Sequence, residues 1–255
     1  MKESTSSTTK EDVTILRKYE SVENPYGSDI SPINFSYSSI GQSTLNVRIG
    51  PSGRFEPPIS IPRAHVNTGE SFVVEQSDQF GVFSFKVTRK STGTMIWDTS
   101  IGGMLFADQY IQIAAFIGSS EIYGIGENTQ QSLKHNLTIY STWPMFARGQ
   151  NPEAYYDPST QFNAKNLYGA YPFYLALESD NKAHGVLIIN SNPQEITLGP
   201  APHIVYRTIG GMLDIYFFPG PSPEDVVKQY LALVGTPALP SYWSLGYQVF
   251  EWFLV

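Results

Sequence analysis

The chain has no cysteine among its 255 residues. That excludes disulfides, thiolate metal sites and a cysteine nucleophile, and leaves the redox compartment undetermined. Charge is also scarce. Charged residues make up 15% of the chain, and 23 acids against 16 bases give a formal net charge of −7. This balance offers no basic footprint for phosphates, so it argues against nucleic acid and favours neutral or cationic partners. No apolar run is long enough to span a bilayer, and Met1–Lys10 lacks the apolar core of a secretory signal. Read from these features alone, the chain has neither a membrane segment nor an export leader. The four histidines, His65, His135, His184 and His203, stand at no metal-ligand spacing, and no Gly-x-Ser-x-Gly elbow supports Ser/His/Asp catalysis. Tyr123-Gly-Ile-Gly-Glu127 lacks the third glycine of a nucleotide-binding loop, and no helical pattern follows it. We therefore expect no metal and no cofactor.

What is present points to sheets. Hydrophobic residues form 41% of the chain and aromatics 14%, with 16 Tyr, 15 Phe, 21 Gly and 18 Pro. This is enough apolar material for one large β domain or two smaller units, and it favours twisted sheets and turns over helical bundles. Residues 1 to about 12 are rich in Ser and Thr and offer nothing to offset the entropy of ordering, so they read as a disordered tail. Strand-like patterning begins at Tyr37. Thr44–Ile49 alternates apolar and polar, as does Phe83–Arg89, which Ser91–Thr94 turns into Met95–Asp98 to make a hairpin over 83–98. Further strands are expected at Tyr110–Ala114, Ile139–Tyr140, Phe173–Leu177, His184–Ile189, Glu195–Leu198, His203–Arg207 and Leu213–Phe218. Their spacing, with Gly, Pro and Asn between them, predicts a large antiparallel sandwich.

One stretch departs from that pattern. Ser222-Pro-Glu-Asp225 supplies an N-cap, a proline at the first helical position and two first-turn acids. Val226, Val227, Tyr230, Leu231 and Val234 then share a helical face before Gly235. Beyond a rigid connector to Pro240, Ser241–Phe250 reads as a buried strand. The apolar Trp252, Phe253 and Leu254 follow it. The expected organisation is a tail over 1–12, a β-sandwich over 13–220, a helix and linker over 221–240, and a strand segment from 241 to 255.

Carboxylates near glycines and aromatics are candidates for acid–base chemistry: Asp98, Asp108, Glu127, Glu153, Asp157, Glu178 and Asp214. No two stand at a spacing that implies the paired geometry of glycoside hydrolysis, so turn and surface roles are expected for each. His184, inside an apolar strand, reads as a packed core histidine. Two sequons, Asn34-Phe-Ser36 and Asn136-Leu-Thr138, are glycan acceptors only if the polypeptide enters the secretory route.

Several motifs carry a family resemblance: Lys90–Asp98, Tyr123–Glu127, Trp143-Pro144, Leu167-Tyr-Gly169, Pro200-Ala-Pro202, Tyr206-Arg-Thr-Ile-Gly-Gly211, Leu213-Asp214 and Pro240-Ser-Tyr-Trp-Ser-Leu-Gly246. From about Arg54 to Gln248 the chain resembles family 31 glycoside hydrolases of the maltase-glucoamylase and sucrase-isomaltase type. The resemblance implies a galactose mutarotase-like β-sandwich followed by the start of a catalytic (β/α)8 barrel. It implies an α-glucosidase lineage acting on α-linked gluco-oligosaccharides, whose catalytic carboxylates match no residue of this chain. It also implies membrane-anchored, extracellular relatives.

The resemblance gives Glu127 a hydrogen-bonded position near the barrel mouth. It places Arg148 and Gly149 where the family has an Arg-Asp pair that contacts sugar, so that contact is lost unless Asp157 or Gln150 substitutes. Tyr155, Tyr156 and Asp157, with Arg148, are the candidate sugar contacts, because aromatic faces pack on the C–H side of pyranose rings. The match is poor before residue 45, no Cys-rich trefoil module precedes it, and Glu251–Val255 departs from the family's continuation. We expect a barrel-less product, truncated or alternatively spliced, without catalysis of its own. A non-catalytic carbohydrate-binding module, or an interaction module with a barrel-bearing partner, is the alternative.

Overall fold

A computed structural model of the chain describes residues 13–18, 24–130, 132–150 and 165–247. The expected tail over 1–12, the candidates Glu153, Tyr155, Tyr156 and Asp157, and Trp252–Leu254 lie outside those residues. The strands are β1 Thr14–Leu16, β2 Ile33–Ile40, β3 Thr44–Gly50, β4 Phe72–Ser77, β5 Ser84–Arg89, β6 Met95–Asp98, β7 Leu105–Phe106 and β8 Ile111–Ile117. They continue with β9 Glu121–Gly126, β10 Ser141–Met145, β11 Tyr171–Leu177, β12 Ala183–Ile188, β13 Gln194–Gly199, β14 His203–Thr208 and β15 Leu213–Phe218. A single α-helix among the described residues, α1, spans Pro223–Val234.

The strands build two facing antiparallel sheets. The first runs β1-β2-β3-β15-β12-β11-β9 and the second β10-β13-β14-β8-β6-β5-β4, with β7 pairing β8. The mainly β sandwich expected from the sequence is the fold observed. Alternation explains why it closes: in β5, Phe85 and Val87 are buried and Lys86 and Thr88 are not, so one face of the strand meets the opposite sheet. Trp97 of β6 packs edge-on against Phe217 of β15 across the interior, with ring centroids 5.8 Å apart, and both are fully buried. The 83–98 hairpin forms as β5 and β6, with Gly93 at φ +74° in its turn.

The helix begins where its cap sequence requires. Ser222 Oγ accepts from Asp225 N at 3.1 Å and the Asp225 carboxylate accepts from Ser222 N at 3.3 Å, a reciprocal capping box. Its packing differs from the expected face: Val226, Gln229 and Leu233 are the buried residues, and Val227 is exposed. The helix lies on the outer side of the first sheet, against Phe173, Leu187, Tyr216 and Phe218, where Tyr230 and Val234 of the expected face also pack, partly buried. Gln229 is buried because it serves the chain entering the helix: its Oε1 accepts from Gly220 N at 3.0 Å.

Two local expectations are corrected. Ile139–Tyr140 lies outside any strand, and the strand there is Ser141–Met145, paired to β13. Within Ser241–Phe250, residues Tyr242–Leu245 form an exposed turn of 3-10 helix instead of a buried strand. No strand lies beside this segment among the described residues. Its backbone therefore bonds locally, with Ser244 N donating to Ser241 O at 2.9 Å.

Candidate functional site

Two of the residues singled out in the sequence, Glu127 and Arg148, fall at one lateral end of the sandwich, where β9 edges the first sheet and β10 edges the second. β9 ends in a strained bend. Ile125 is buried with φ at +56°, a conformation β-branched residues rarely adopt, and Asn128 Nδ2 donates to its carbonyl. The next carboxylate, Glu127, is exposed, yet its Oε2 accepts from the amides of Tyr168 and Gly169 at 2.8 and 2.9 Å. Its own amide donates to Gly169 O at 3.2 Å. Glu127 is thus a clamp on the backbone of the returning segment, and both lone-pair contacts on Oε2 are taken.

The clamped segment is the far leg of a hairpin-like stem. Gly149 N donates to Leu167 O at 2.8 Å and Gln150 N to Asn166 O at 3.0 Å. Asn166 is buried, and its Oδ1 accepts from Phe146 N at 3.1 Å. Gln150 Oε1 accepts from Asn166 N at 2.8 Å. Gln150 is therefore engaged in the stem. Gly149 sits at φ +68°, and a Cβ there would meet the Tyr168 ring only at 3.8 Å. The backbone conformation favours glycine at this position; space does not demand it. Arg148 is exposed on the stem, while Tyr155, Tyr156 and Asp157 fall in the loop outside the described residues.

The sandwich edge beneath the stem is closed by a histidine. His135 Nε2 donates to Gly124 O at 2.7 Å, and its ring meets Trp143 of β10 edge-on at 4.8 Å. Burial pushes the His135 imidazole below its usual value, against the pull of the Gly124 carbonyl. The ring therefore stays neutral and links the edges of both sheets.

The other candidate carboxylates are scattered and each is engaged. Asp98, at the end of β6, accepts from Ser100 N through Oδ1 at 2.9 Å, and Asp108, in a loop bend, accepts from Ser28 N through Oδ1 at 2.9 Å. Asp214 accepts from Asn46 Nδ2 at 2.7 Å; burial pushes its carboxyl up, opposed by Asn46 and by the charge of Arg48. None of Asp98, Asp108, Glu127, Glu178 and Asp214 shares a hydrogen-bond partner with another of the five.

Glu178 belongs to a feature that sequence reading missed. Arg89 of β5 is fully buried and donates from Nε to Glu178 Oε2 at 2.9 Å, from Nη1 to Pro219 O at 2.7 Å and to Glu70 Oε2 at 3.1 Å, and from Nη2 to Ala183 O at 3.0 Å and to Glu178 Oε1. All five guanidinium N–H groups have acceptors. His184, also fully buried, holds Glu178 Oε1 through Nδ1 at 3.0 Å. Lys182 Nζ reaches Glu70 Oε1 at 2.7 Å. Burial alone would push Glu178 up, but the hydrogen bonds of His184 and Arg89, with the charge of Arg89, outweigh it and hold the carboxyl at about 2. Burial pushes His184 down. The signal for this network was in the register: Phe83, Phe85, Val87 and Arg89 share one parity, so the arginine lies on the core face and needs buried partners.

Other motifs prove structural. Tyr206 is buried with its hydroxyl on Gln194 Oε1 at 2.9 Å, and Arg207 binds Gln112, Glu195 and Thr197 on the outer face of the second sheet. Gly211, at φ +72°, lies where a Cβ would come within 2.8 Å of Asn190 Nδ2. Among the described residues there is no group of three or more His, Asp or Glu that could hold a metal ion, and no helix long and apolar enough to cross a membrane.

No family model matches the chain. Among curated proteins it is 40% identical over 192 residues to intestinal sucrase-isomaltase of Homo sapiens, covering 75% of this chain and 10% of that protein. It is 46% identical over 180 residues to human probable maltase-glucoamylase 2, covering 70% and 7%, and 38% identical over 203 residues to lysosomal alpha-glucosidase of Rattus norvegicus, covering 79% and 20%. The chain thus spans a fifth or less of the length of these relatives. Among solved structures, a Flavobacterium johnsoniae GH31 dextranase complexed with glucose matches 93% of this chain and 29% of its own, with a TM-score of 0.62 at 16% identity. A glucosidase II alpha subunit in its Glc1Man2-bound form matches 93% and 34%, with a TM-score of 0.64 at 16% identity. At that identity these two support the sandwich fold alone.

Proposed function

This chain belongs to the α-glucosidase lineage of glycoside hydrolase family 31, and from that premise we propose that its sandwich is a non-catalytic flank to the hydrolysis of O-glycosyl bonds in α-linked gluco-oligosaccharides. In this reading the sandwich to residue 220 and the helix and linker over 221–240 position a segment from 241 onward against a barrel, which supplies the acid and the nucleophile. The stem clamped by Glu127 holds the sugar-facing loop, with Arg148, Tyr155, Tyr156 and Asp157 as the contacts. The observation that carries the non-catalytic part is the engagement of all five described candidate carboxylates in the fold, in separate places.

The 255-residue chain incubated with maltose and with a chromogenic α-glucoside is expected to release no product above the blank. Turnover that one carboxylate substitution abolishes would overturn this. Calorimetric titration with maltose is expected to give heat that Arg148→Ala and Tyr155→Ala diminish; no heat from the unaltered chain removes the sugar-binding part.

A second reading, an interaction module for a barrel-bearing partner, is favoured by the exposed run Leu239, Tyr242, Trp243, Leu245 and Tyr247, each at least two-thirds exposed. A glucosidase II structure among the fold neighbours is a heterodimer of a catalytic subunit with the binding domain of a regulatory subunit. A monomer of this chain that stays soluble and elutes at its own mass in size-exclusion chromatography would count against a required partner.

A further inference from the structure

The connection between β9 and β10 contains the sequon Asn136-Leu137-Thr138, which neither the clamp nor the stem uses. Asn136 is exposed, whereas its neighbours His135 and Leu137 are buried, so the turn is anchored on both sides of the asparagine. Asn136 Oδ1 accepts from Thr138 N at 2.9 Å and from Thr138 Oγ1 at 2.7 Å. This is an Asx turn closed a second time by the threonine hydroxyl. The amide oxygen is thereby fixed within the sequon, while Nδ2 has no hydrogen-bond partner among the described residues.

The second sequon offers the opposite environment. Asn34 lies in β2, half-buried and paired on both flanks, opposite Ile15 of β1 and Gly50 of β3. In an extended strand residues i and i+2 stand about 6.5–7 Å apart. No hydrogen bond joins Ser36 to the Asn34 amide among the described residues, and with Ile33 and Phe35 turned to the core, Asn34 rises half-buried from the outer face of a strand paired on both sides, not from an exposed turn.

We propose that Asn136 is the N-glycosylation acceptor of this chain and that Asn34 is not glycosylated. The co-reactant is a lipid-linked oligosaccharide diphosphate. A bond forms between Nδ2 of Asn136 and C1 of the reducing-end sugar, and the bond from C1 to the diphosphate oxygen breaks. The diphosphate leaves with the electron pair, and Nδ2 gives one proton to the transferase's base. The folded chain accommodates the product because the sugar extends from an exposed turn and displaces no core contact. The assignment is independent of the sugar-binding loop, so its failure leaves the function proposed above untouched.

The test expresses the full chain behind a cleavable secretion leader in eukaryotic cells and reads glycosidase-sensitive mass and glycopeptides in both medium and cell extract. Reading both fractions means that a variant retained through misfolding still reports its glycan. One glycan is expected, lost completely in Asn136→Gln and in Thr138→Ala, and retained in Thr138→Ser and in Asn34→Gln. Absence of any glycan on the unaltered chain, or a glycan at Asn34, alone or beside one at Asn136, overturns the assignment.

Discussion

Glu178 and Glu127 are both carboxylates beside aromatic and glycine residues, and a search for glycosidase acids picks out both. Their environments separate them. Glu178 is buried against two side chains that can carry positive charge, and together they tie β5 of the second sheet to the β11–β12 turn of the first. Glu127 is exposed and spends its acceptor on two backbone amides at the base of a loop. The comparison teaches that the same side chain fastens the whole fold where water is excluded, and shapes one loop where water is present, because charge interactions gain strength as the local dielectric falls.

The most direct way to break this contrast is to remove the arginine. Arg89→Ala leaves the Glu178 charge buried without its main partner, and a loss of about 3–5 kcal/mol in global stability is expected by urea denaturation. A loss under about 1 kcal/mol would place Glu178 in the same class as Glu127.

Acid sharpens the comparison next. His184 is held neutral below its usual range, so protons favour the unfolded state as pH falls through about 6.5. Glu178, with its folded value at about 2, adds stability above its unfolded value of about 4.3, and that stability is lost as pH falls through the folded value. Stability should therefore decline in two stages, first below about pH 6.5 and again between about 4.3 and 2. Denaturation midpoints measured across that range should show both, and Glu178→Gln should diminish the lower stage, leaving the part that Asp29, Glu70, Asp98 and Asp225, also held below their usual values, contribute.

The smallest effect is expected at the exposed clamp. Glu127→Ala should cost about 1–1.5 kcal/mol, since water takes over part of the hydrogen bonding to the freed amides. Hydrogen exchange should quicken at Tyr168 and Gly169 while the core amides keep their protection. Glu127→Gln, which keeps an acceptor oxygen, should restore most of the slow exchange. A global loss of protection in Glu127→Ala would erase the distinction between the two carboxylates.

Much of the fold was legible because its signals are local. Alternation over Phe83–Arg89 and the apolar, aromatic run Leu213–Phe218 mark strands, and the Ser222 cap with Pro223 marks the helix start. Reading failed where neighbours decide. Ser241–Phe250 has a strand's composition, but a strand needs a partner to take up its backbone groups, and Tyr242–Leu245 turns on itself instead. The helix face was misassigned at Val227 for a related reason: periodicity gives a broad apolar stripe, and the receiving sheet selects the part it can cover. Of the candidate site, Glu127 was legible as a hydrogen-bonded residue, while the roles of Gln150 and Asn166 were not, since they depend on two segments meeting across a loop.

By itself the sequence determined the class of fold, the absence of thiol chemistry, the helix cap and the lineage, because each rests on composition or on residues within a turn or two of one another. Tertiary structure alone decided which carboxylates are engaged and by what. Arg89 and Glu178 lie 89 positions apart, and Glu127 and Gly169 42. Only the closing of two sheets on one core brings such groups within hydrogen-bond distance.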